Sequence, residues 1–334
     1  MRLFLLFLGV CIAGLVNAQM PQYSQFYANS LYLSPAFAGA DHSTRGILAT
    51  RYQWPGIEAN YTTTTLSIDH HFSSVHSGVG LIVNYDKIQP SQLTTTNIGG
   101  IYSYEAELNK DLIFRFGMEA AFTRRSLDPS QLTFSSQYSD DGFVGGSSNE
   151  KFVSESSSYL DIAVGGLLVG HSFWSGLTIN HLTEPNQGFY GSEELPMKFS
   201  LFGGYKFNFT PEWKHRYVNH NEEKSISPTF LYKSQGKSDQ LDIGVYGRYN
   251  IFAWGLVYRG IPVKQYEANE SNNDAVVAIV GLVLKNTNIG YSFDFTSSKL
   301  TMQSYGSHEI TIVQRLAKAK ENHLSHRRPQ CPKF

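Results

Sequence analysis

The sequence predicts an all-β protein, a transmembrane antiparallel β-barrel of about 14 strands. Segments in which apolar and polar residues alternate recur along most of the 334 residues. Charged residues make up 16% of the chain and aromatic residues 14%, whereas a typical soluble domain has ~25% charged residues. After residue 18, no apolar run approaches the ~18 residues that a membrane-spanning helix requires. Together these observations favour a barrel that crosses a membrane with strands.

The clearest alternation lies at residues 111–123. One set of alternate residues is wholly apolar, and the other set, counted from Ile113 to Thr123, contains the charged residues Arg115 and Glu119. A period of two is that of a strand with one apolar and one polar face, whereas a helix would scatter these aromatic residues around its circumference. The segment is also long enough to cross a bilayer, which takes ~9–11 tilted residues. The apolar set is Leu112, Phe114, Phe116, Met118, Ala120 and Phe122.

Residues 1–18 have the features of a secretory signal peptide. Arg2 supplies the positive charge, an apolar stretch follows, and a Val-Asn-Ala cleavage site ends at Ala18. We therefore expect cleavage after Ala18 and insertion into the outer membrane of a Gram-negative bacterium. Cys11 raises the alternative of a lipoprotein, which the preceding valine and the continuing apolar run disfavour. The mature chain then has one cysteine, Cys331, and cannot form an internal disulfide.

Residues 19–42 precede the first strand and do not alternate. The stretch 22–39 is rich in aromatic residues and is interrupted by a Ser-Pro pair. Because it lacks a strand period, we expect it in the periplasm or folded into the mouth of the barrel, where it plugs the lumen or binds a partner. The candidate residues for either role are Tyr23, Phe26, Tyr27, Tyr32, Pro35 and Phe37.

Residues 43–316 are interpreted as one barrel, because no linker, charge block or low-complexity tract divides them. The segment 275–284 is apolar on both faces, so its inner side is expected to meet packed protein rather than water. The fourteen predicted strands are 43–51, 61–71, 77–86, 94–107, 111–123, 158–169, 172–182, 196–208, 225–233, 239–249, 251–260, 274–284, 287–296 and 307–316.

The predicted connection lengths favour a membrane barrel over the alternative of a secreted β-sandwich. Most even-numbered connections are tight, whereas most odd-numbered ones are longer, notably 124–157 and 183–195. Outer-membrane barrels have short periplasmic turns and longer external loops, and a sandwich has no reason to sort its loops by parity. Two connections depart from the pattern: 210–224 is long on the short side, and 234–238 is short on the long side.

Charged residues recur on the polar face of the predicted strands. Buried charges must be paired to be tolerated, so a neutralising network in the lumen is the favoured interpretation, with a lined, selective channel as the alternative. The candidate lumen residues are Arg115, Glu119, Glu105, Asp242, Arg248, Asp294 and Lys206.

The sequence offers little support for catalysis, a cofactor or a metal. Residues 170–174 resemble a nucleophile elbow, but a tryptophan stands where that motif has its last glycine. His70, His71 and His76 have no metal-ligand spacing and are interpreted as periplasmic turn residues. The net charge of −1 leaves no excess of positive charge for a nucleic-acid partner.

Several stretches resemble the PorP/SprF family of type IX secretion system membrane proteins. The first is 22–39, preceded by Met-Pro, and it is followed by Arg-Tyr-Gln-Trp-Pro-Gly at 51–56. Trp-Gly-Leu-Val-Tyr-Arg at 254–259 and Gly-Tyr-Ser-Phe-Asp at 290–294 resemble later strands of the family. Further likenesses are Ser-His-Glu-Ile at 307–310 and Cys-Pro-Lys-Phe at 331–334. The order and spacing of these stretches cover essentially the whole mature chain.

This resemblance implies an outer-membrane component of protein secretion that, in gliding bacteria, delivers or anchors surface adhesins. The implied partners are secretion-system lipoprotein or ring components and a secreted cargo or adhesin protein. The tail 317–334, with Cys331 and Phe334, is a further candidate for partner binding in the periplasm. A plugged barrel that transports small hydrophobic solutes is the alternative function, although the charged inner faces do not favour a continuous apolar groove.

Overall fold

The computed structural model describes residues 21–89, 91–128, 137–139, 142–143, 155–189, 191–209, 223–267, 270–296 and 302–318. The signal peptide, Cys331, Phe334 and much of two long loops lie outside these residues. The barrel strands are β1 Ser43–Gln53, β2 Tyr61–Phe72, β3 Ser77–Ile88, β4 Leu93–Asn109, β5 Leu112–Ser126, β6 Ser156–Gly170, β7 Phe173–Asn180, β8 Lys198–Tyr205, β9 Lys224–Gln235, β10 Ser238–Tyr249, β11 Phe252–Glu267, β12 Glu270–Val283, β13 Thr287–Thr296 and β14 Ser307–Lys318.

These fourteen strands form one closed antiparallel barrel. Each strand pairs with its sequence neighbours, and β1 pairs with β14, so the first and last strands have no free edge. A short piece at Phe207–Asn208 continues β8 along β9 after a break in the ladder. The predicted fold class and strand number are confirmed. Among the described residues, no helix has the length and hydropathy needed to cross a bilayer.

Side chains alternate between the two faces of the barrel wall as predicted. On β5, Phe114 and Phe116 are 38% and 49% exposed on the outside, whereas Arg115 between them is 1% exposed and faces the lumen. Phe207 is likewise exposed on the outer face. The outer face is therefore an apolar surface suited to lipid tails, and the lumen holds the charges.

The connections define two ends of the barrel. Turns of two to four residues join most strand pairs at one end, which we call the short-turn end; the opposite end is the long-loop end. One prediction here was wrong. Residues 261–267 and 270–273 belong to strands and not to a loop, because β11 continues to Glu267, β12 begins at Glu270, and the two strands pair as far as these residues. Polar residues continue this ladder, so the segment lacks the apolar alternation that marks a strand in a membrane.

Residues 21–42, which we call the N-terminal segment, pack against the inner faces of strands on opposite sides of the barrel. The segment contains a helical turn, α1 at Ser30–Leu33, followed by a 3₁₀ turn at Pro35–Phe37. The Ser34 side chain caps the second turn by accepting a hydrogen bond from the backbone N–H of Ala36. As predicted, the inner side of β12 meets packed protein, since Val277 and Ile279 belong to the same buried cluster as the aromatic residues of the segment.

An arginine at Met118, midway along β5 on the outer face, should destabilise the barrel by about 2–4 kcal/mol, because it places a charge at the centre of the lipid layer. Leu160→Arg is the control, since Leu160 lies near the long-loop end, where the cost falls to about 0–1 kcal/mol. Urea unfolding in lipid vesicles measures both. Equal losses at the two positions would contradict a lipid-facing outer surface.

Candidate functional site

The candidate site is the lumen, where charged wall residues bind the N-terminal segment near both of its ends. In the half of the lumen next to the long loops, Asp294 on β13 is the centre of one group, which we call the Asp294 cluster. Its carboxylate accepts hydrogen bonds of 2.8 and 2.7 Å from the Ser24 hydroxyl. Arg51 and Arg259 bind the same carboxylate at 2.7 and 3.0 Å. All four side chains are buried.

Glu309 on β14 completes the Asp294 cluster by binding the backbone of the segment. Its two carboxylate oxygens accept hydrogen bonds from the backbone N–H groups of Ser24 and Gln25 at 2.6 and 3.0 Å. Arg259 in turn donates to the Ser24 hydroxyl at 3.0 Å, and Arg51 donates to the Gln22 carbonyl at 2.7 Å. The wall therefore neutralises its own charges and recognises main-chain and side-chain atoms of residues 22–25.

A second group, the Arg115 cluster, binds the other end of the segment near the short turns. The Arg115 guanidinium donates hydrogen bonds to the carbonyls of Ala36 and Ala38 at 3.0 and 2.6 Å. It forms an ion pair with Glu105, which faces it directly in the register of β4 and β5. Ser103 adds a bond of 2.6 Å to the Ala38 carbonyl. A buried cation thus satisfies carbonyls that the short 3₁₀ turn leaves open.

Asp69 on β2 fixes the segment just beyond this cluster. One carboxylate oxygen accepts a 2.8 Å hydrogen bond from the Gly39 backbone, and Arg45 binds the carboxylate at 2.9 Å. Gly39 has φ of 70°, a left-handed conformation that glycine adopts without strain. This turn redirects the chain into β1.

Aromatic side chains of the segment contact the inner wall between the two clusters. Tyr27 donates a 2.9 Å hydrogen bond to the Gly203 carbonyl and packs edge-on against Trp174, with ring centroids 5.6 Å apart. Phe37 stacks on Phe202 at 5.7 Å. These contacts join the segment to the strands β7 and β8.

Glycines in the wall allow the segment to approach closely. A β-carbon on Gly117 would lie 2.3 Å from backbone atoms of Pro35 and Ala36, and one on Gly165 would lie 2.3 Å from the Ser34 hydroxyl. Gly117 and Gly165 face each other across β5 and β6. They therefore form the floor of a groove that receives the 3₁₀ turn.

The structure divides the predicted lumen residues into separate groups. Arg115 pairs with Glu105, whereas Asp242 and Asp294 both lie beside Arg259, at 3.5 and 3.0 Å. At the short-turn end, Lys206 and Arg248 both pair with Glu223. Glu119 faces inward on β5 but belongs to none of these ion pairs.

Sequence reasoning missed Arg51, Arg259 and Glu309 as lumen residues, although each has a recognisable signal. Arg259 continues the inner-facing set of β11, and Glu309 that of β14. These three residues and Asp294 each lie in a different stretch of those on which the family resemblance rests. All four side chains contact residues 22–25.

The structure also places the predicted N-terminal residues and the histidines. Tyr23, Phe26, Tyr27, Pro35 and Phe37 are buried and Tyr32 is half-buried, so a partner could reach them only if the segment moved. The interpretation of His70 and His71 as turn residues was wrong, because both lie within β2. His71 is buried on the inner face, where its ring packs edge-on against that of His42 at 4.2 Å.

Comparison with known proteins identifies the family. A model of the family described as "Type IX secretion system membrane protein PorP/SprF" matches residues 15–313, most of the chain. The chain belongs to this family. PorP/SprF proteins are secretion membrane proteins and not a family of enzymes, and membership implies partners in the type IX machinery. No curated protein matches the chain.

Solved barrels resemble this PorP/SprF protein at low identity. The outer membrane protein Omp33 of Acinetobacter baumannii is 7% identical with a TM-score of 0.41, and the match covers 83% of this chain and 99% of that one. CdiB of the same organism is 6% identical with a TM-score of 0.43, and the match covers 81% of this chain and 59% of that one. A mutant porin of Rh. blastica is 7% identical with a TM-score of 0.35, and the match covers 81% of this chain and 98% of that one.

Proposed function

We propose that this PorP/SprF protein is a plugged outer-membrane barrel that helps to secrete or anchor cell-surface proteins of the gliding-adhesin type. The observation that carries the proposal is the attachment of residues 22–39 to the lumen wall at both ends, through the Asp294 and Arg115 clusters. A segment held in this way blocks free diffusion through the barrel. The protein then acts by binding cargo and machinery rather than as an open pore.

The two ends of the barrel suit different partners. The long-loop end, with the connections after β5 and β7, would face outward and bind a cargo or adhesin domain. The short-turn end and the tail 317–334, including Cys331 and Phe334, would face the periplasm and contact lipoprotein or ring components. This orientation follows from the rule that outer-membrane barrels keep their short turns in the periplasm.

The alternative of a transporter for small hydrophobic solutes has one observation in its favour. A mainly apolar cavity of about 50 Å³ lies between Gln25 and Ala28 of the segment and inner residues such as Tyr246 and Ile279. Sites for drug-sized molecules usually measure about 300–1,000 Å³, so this space is too small unless the segment moves. Uptake of a hydrophobic solute by proteoliposomes would favour the transporter.

The secretion function is tested in the native host by deleting the gene and restoring either the full chain or a chain that ends at residue 318. Adhesin on intact cells is measured with antibody, and cargo retained in the periplasm is measured by immunoblot. We expect the deletion to abolish surface display, and the shortened chain to reach the membrane but to lower display, because it lacks the tail. Normal display in the deletion strain would refute the proposal.

A further inference from the structure

We infer that His42, His71 and Glu105 form a zinc-binding site at the short-turn end of the lumen. One nitrogen from each histidine and one carboxylate oxygen lie within 4.8 Å of one another. His71 and Glu105 project inward from β2 and β4, and His42 is the last residue of the N-terminal segment. Two imidazoles and a carboxylate are ligands that zinc prefers, whereas calcium and magnesium take oxygen ligands.

The three side chains must rotate to hold the ion, and one pair of ligand groups already has a suitable spacing. Bonds of about 2.1 Å in a tetrahedral zinc site place ligand atoms about 3.4 Å apart. The His42 Nε2 atom already lies 3.4 Å from the Glu105 Oε2 atom. The His42 side chain is 28% exposed, so it can rotate towards the buried His71, and a water molecule can reach the fourth position from its open side.

The neighbouring Arg115–Glu105 ion pair shares the carboxylate with this site. Arg115 binds the Oε2 atom of Glu105, the same oxygen that lies near His42, so the carboxylate must rotate to present its other oxygen, Oε1, to the metal. The guanidinium repels a divalent cation, so binding should be weaker than in structural sites with several thiolates. Both histidines bind a metal ion as neutral imidazoles.

A zinc ion at this position would link the point where the N-terminal segment joins β1 to two wall strands. Its ligands lie next to Gly39 and Ala38, which Asp69 and Arg115 already bind. The ion would therefore add a third attachment at this end of the segment and favour its seated state, since a ligand stabilises the conformation to which it binds.

The test uses the full-length protein in detergent after chelator treatment, with zinc titrated against a chromophoric indicator. We expect one zinc per chain, and about 10–100-fold or greater weakening in His42→Ala and in His71→Ala, because each removes a ligand. Cobalt(II) should give the visible absorption of a tetrahedral site in the wild type and not in these two variants. If the His71→Ala variant fails to fold because His71 is buried, the His42→Ala variant still tests the site, because the His42 side chain is partly exposed.

His70→Ala is the matched control, because His70 is adjacent in β2 but faces outward and hydrogen-bonds Thr44 at 2.7 Å. Its zinc affinity should equal that of the wild type. Less than one zinc per chain in the wild type, or equal weakening by His70→Ala, would overturn the proposal. So would loss of binding in His76→Ala with His42→Ala unaffected, since that would assign the ion to the neighbouring group of His76, Glu105 and Glu107.

Discussion

Replacing Gly117 with valine is expected to displace the 3₁₀ turn of the N-terminal segment and to make the barrel conduct ions. Any β-carbon at this position lies 2.3 Å from the backbone of Pro35 and Ala36, and backbone atoms cannot rotate away as a side chain can. Overpacking of this kind costs about 1–3 kcal/mol, which would shift the balance between seated and displaced segments by about 5–150-fold. Single-channel recording in planar bilayers would detect it as an increase in open probability.

Gly100→Val is the control for this experiment. Gly100 lies on β4, faces outward, and has no atom within 4 Å of the position that a β-carbon would take. This variant should remain as closed as the wild type while adding the same apolar group to the wall. Equal conductance in the two variants, or none in Gly117→Val with the fold retained, would contradict closure of the lumen by the N-terminal segment.

The fold could be predicted because a membrane barrel imposes one contrast on every strand. Lipid outside and charges inside give β5 its period of two, and the structure confirms both faces. The sequence did not predict that β11 continues beyond Gly260 to Glu267 or that β12 begins as early as Glu270. Apolar and polar residues do not alternate there, and without that alternation a strand cannot be distinguished from a loop.

The lumen site was predictable only in part. The inner position of Arg115 and Glu105 follows from periodicity, but their pairing depends on strand register, which the sequence does not reveal. Arg259 and Asp294 are separated by β12 and meet across its inner face, beside the small side chain of Ala275. The placement of residues 21–42 was left open, because a segment without a period carries no information about which surface it meets.

Asp294→Asn is expected to destabilise the barrel by about 3–5 kcal/mol, the usual cost of removing one partner from a buried ion pair. The substitution conserves shape but leaves Arg51 and Arg259 close together without the carboxylate that binds both. It also weakens the hold on Ser24. Urea unfolding in lipid vesicles would give the loss of stability, and limited proteolysis of the N-terminal segment should become faster.

Asp274→Asn distinguishes this effect from a general loss of negative charge near Arg259. The Asp274 carboxylate lies 3.7 Å from the same guanidinium, but its side chain is 47% exposed. Water screens such a pair, so the substitution should cost about 1 kcal/mol or less and leave proteolysis of the segment unchanged. If Asp274→Asn and Asp294→Asn were equally destabilising, the total charge around Arg259 would matter and not the bridge from Asp294 to Ser24. The Asp294 cluster would then balance charge in the wall without holding the N-terminal segment in place.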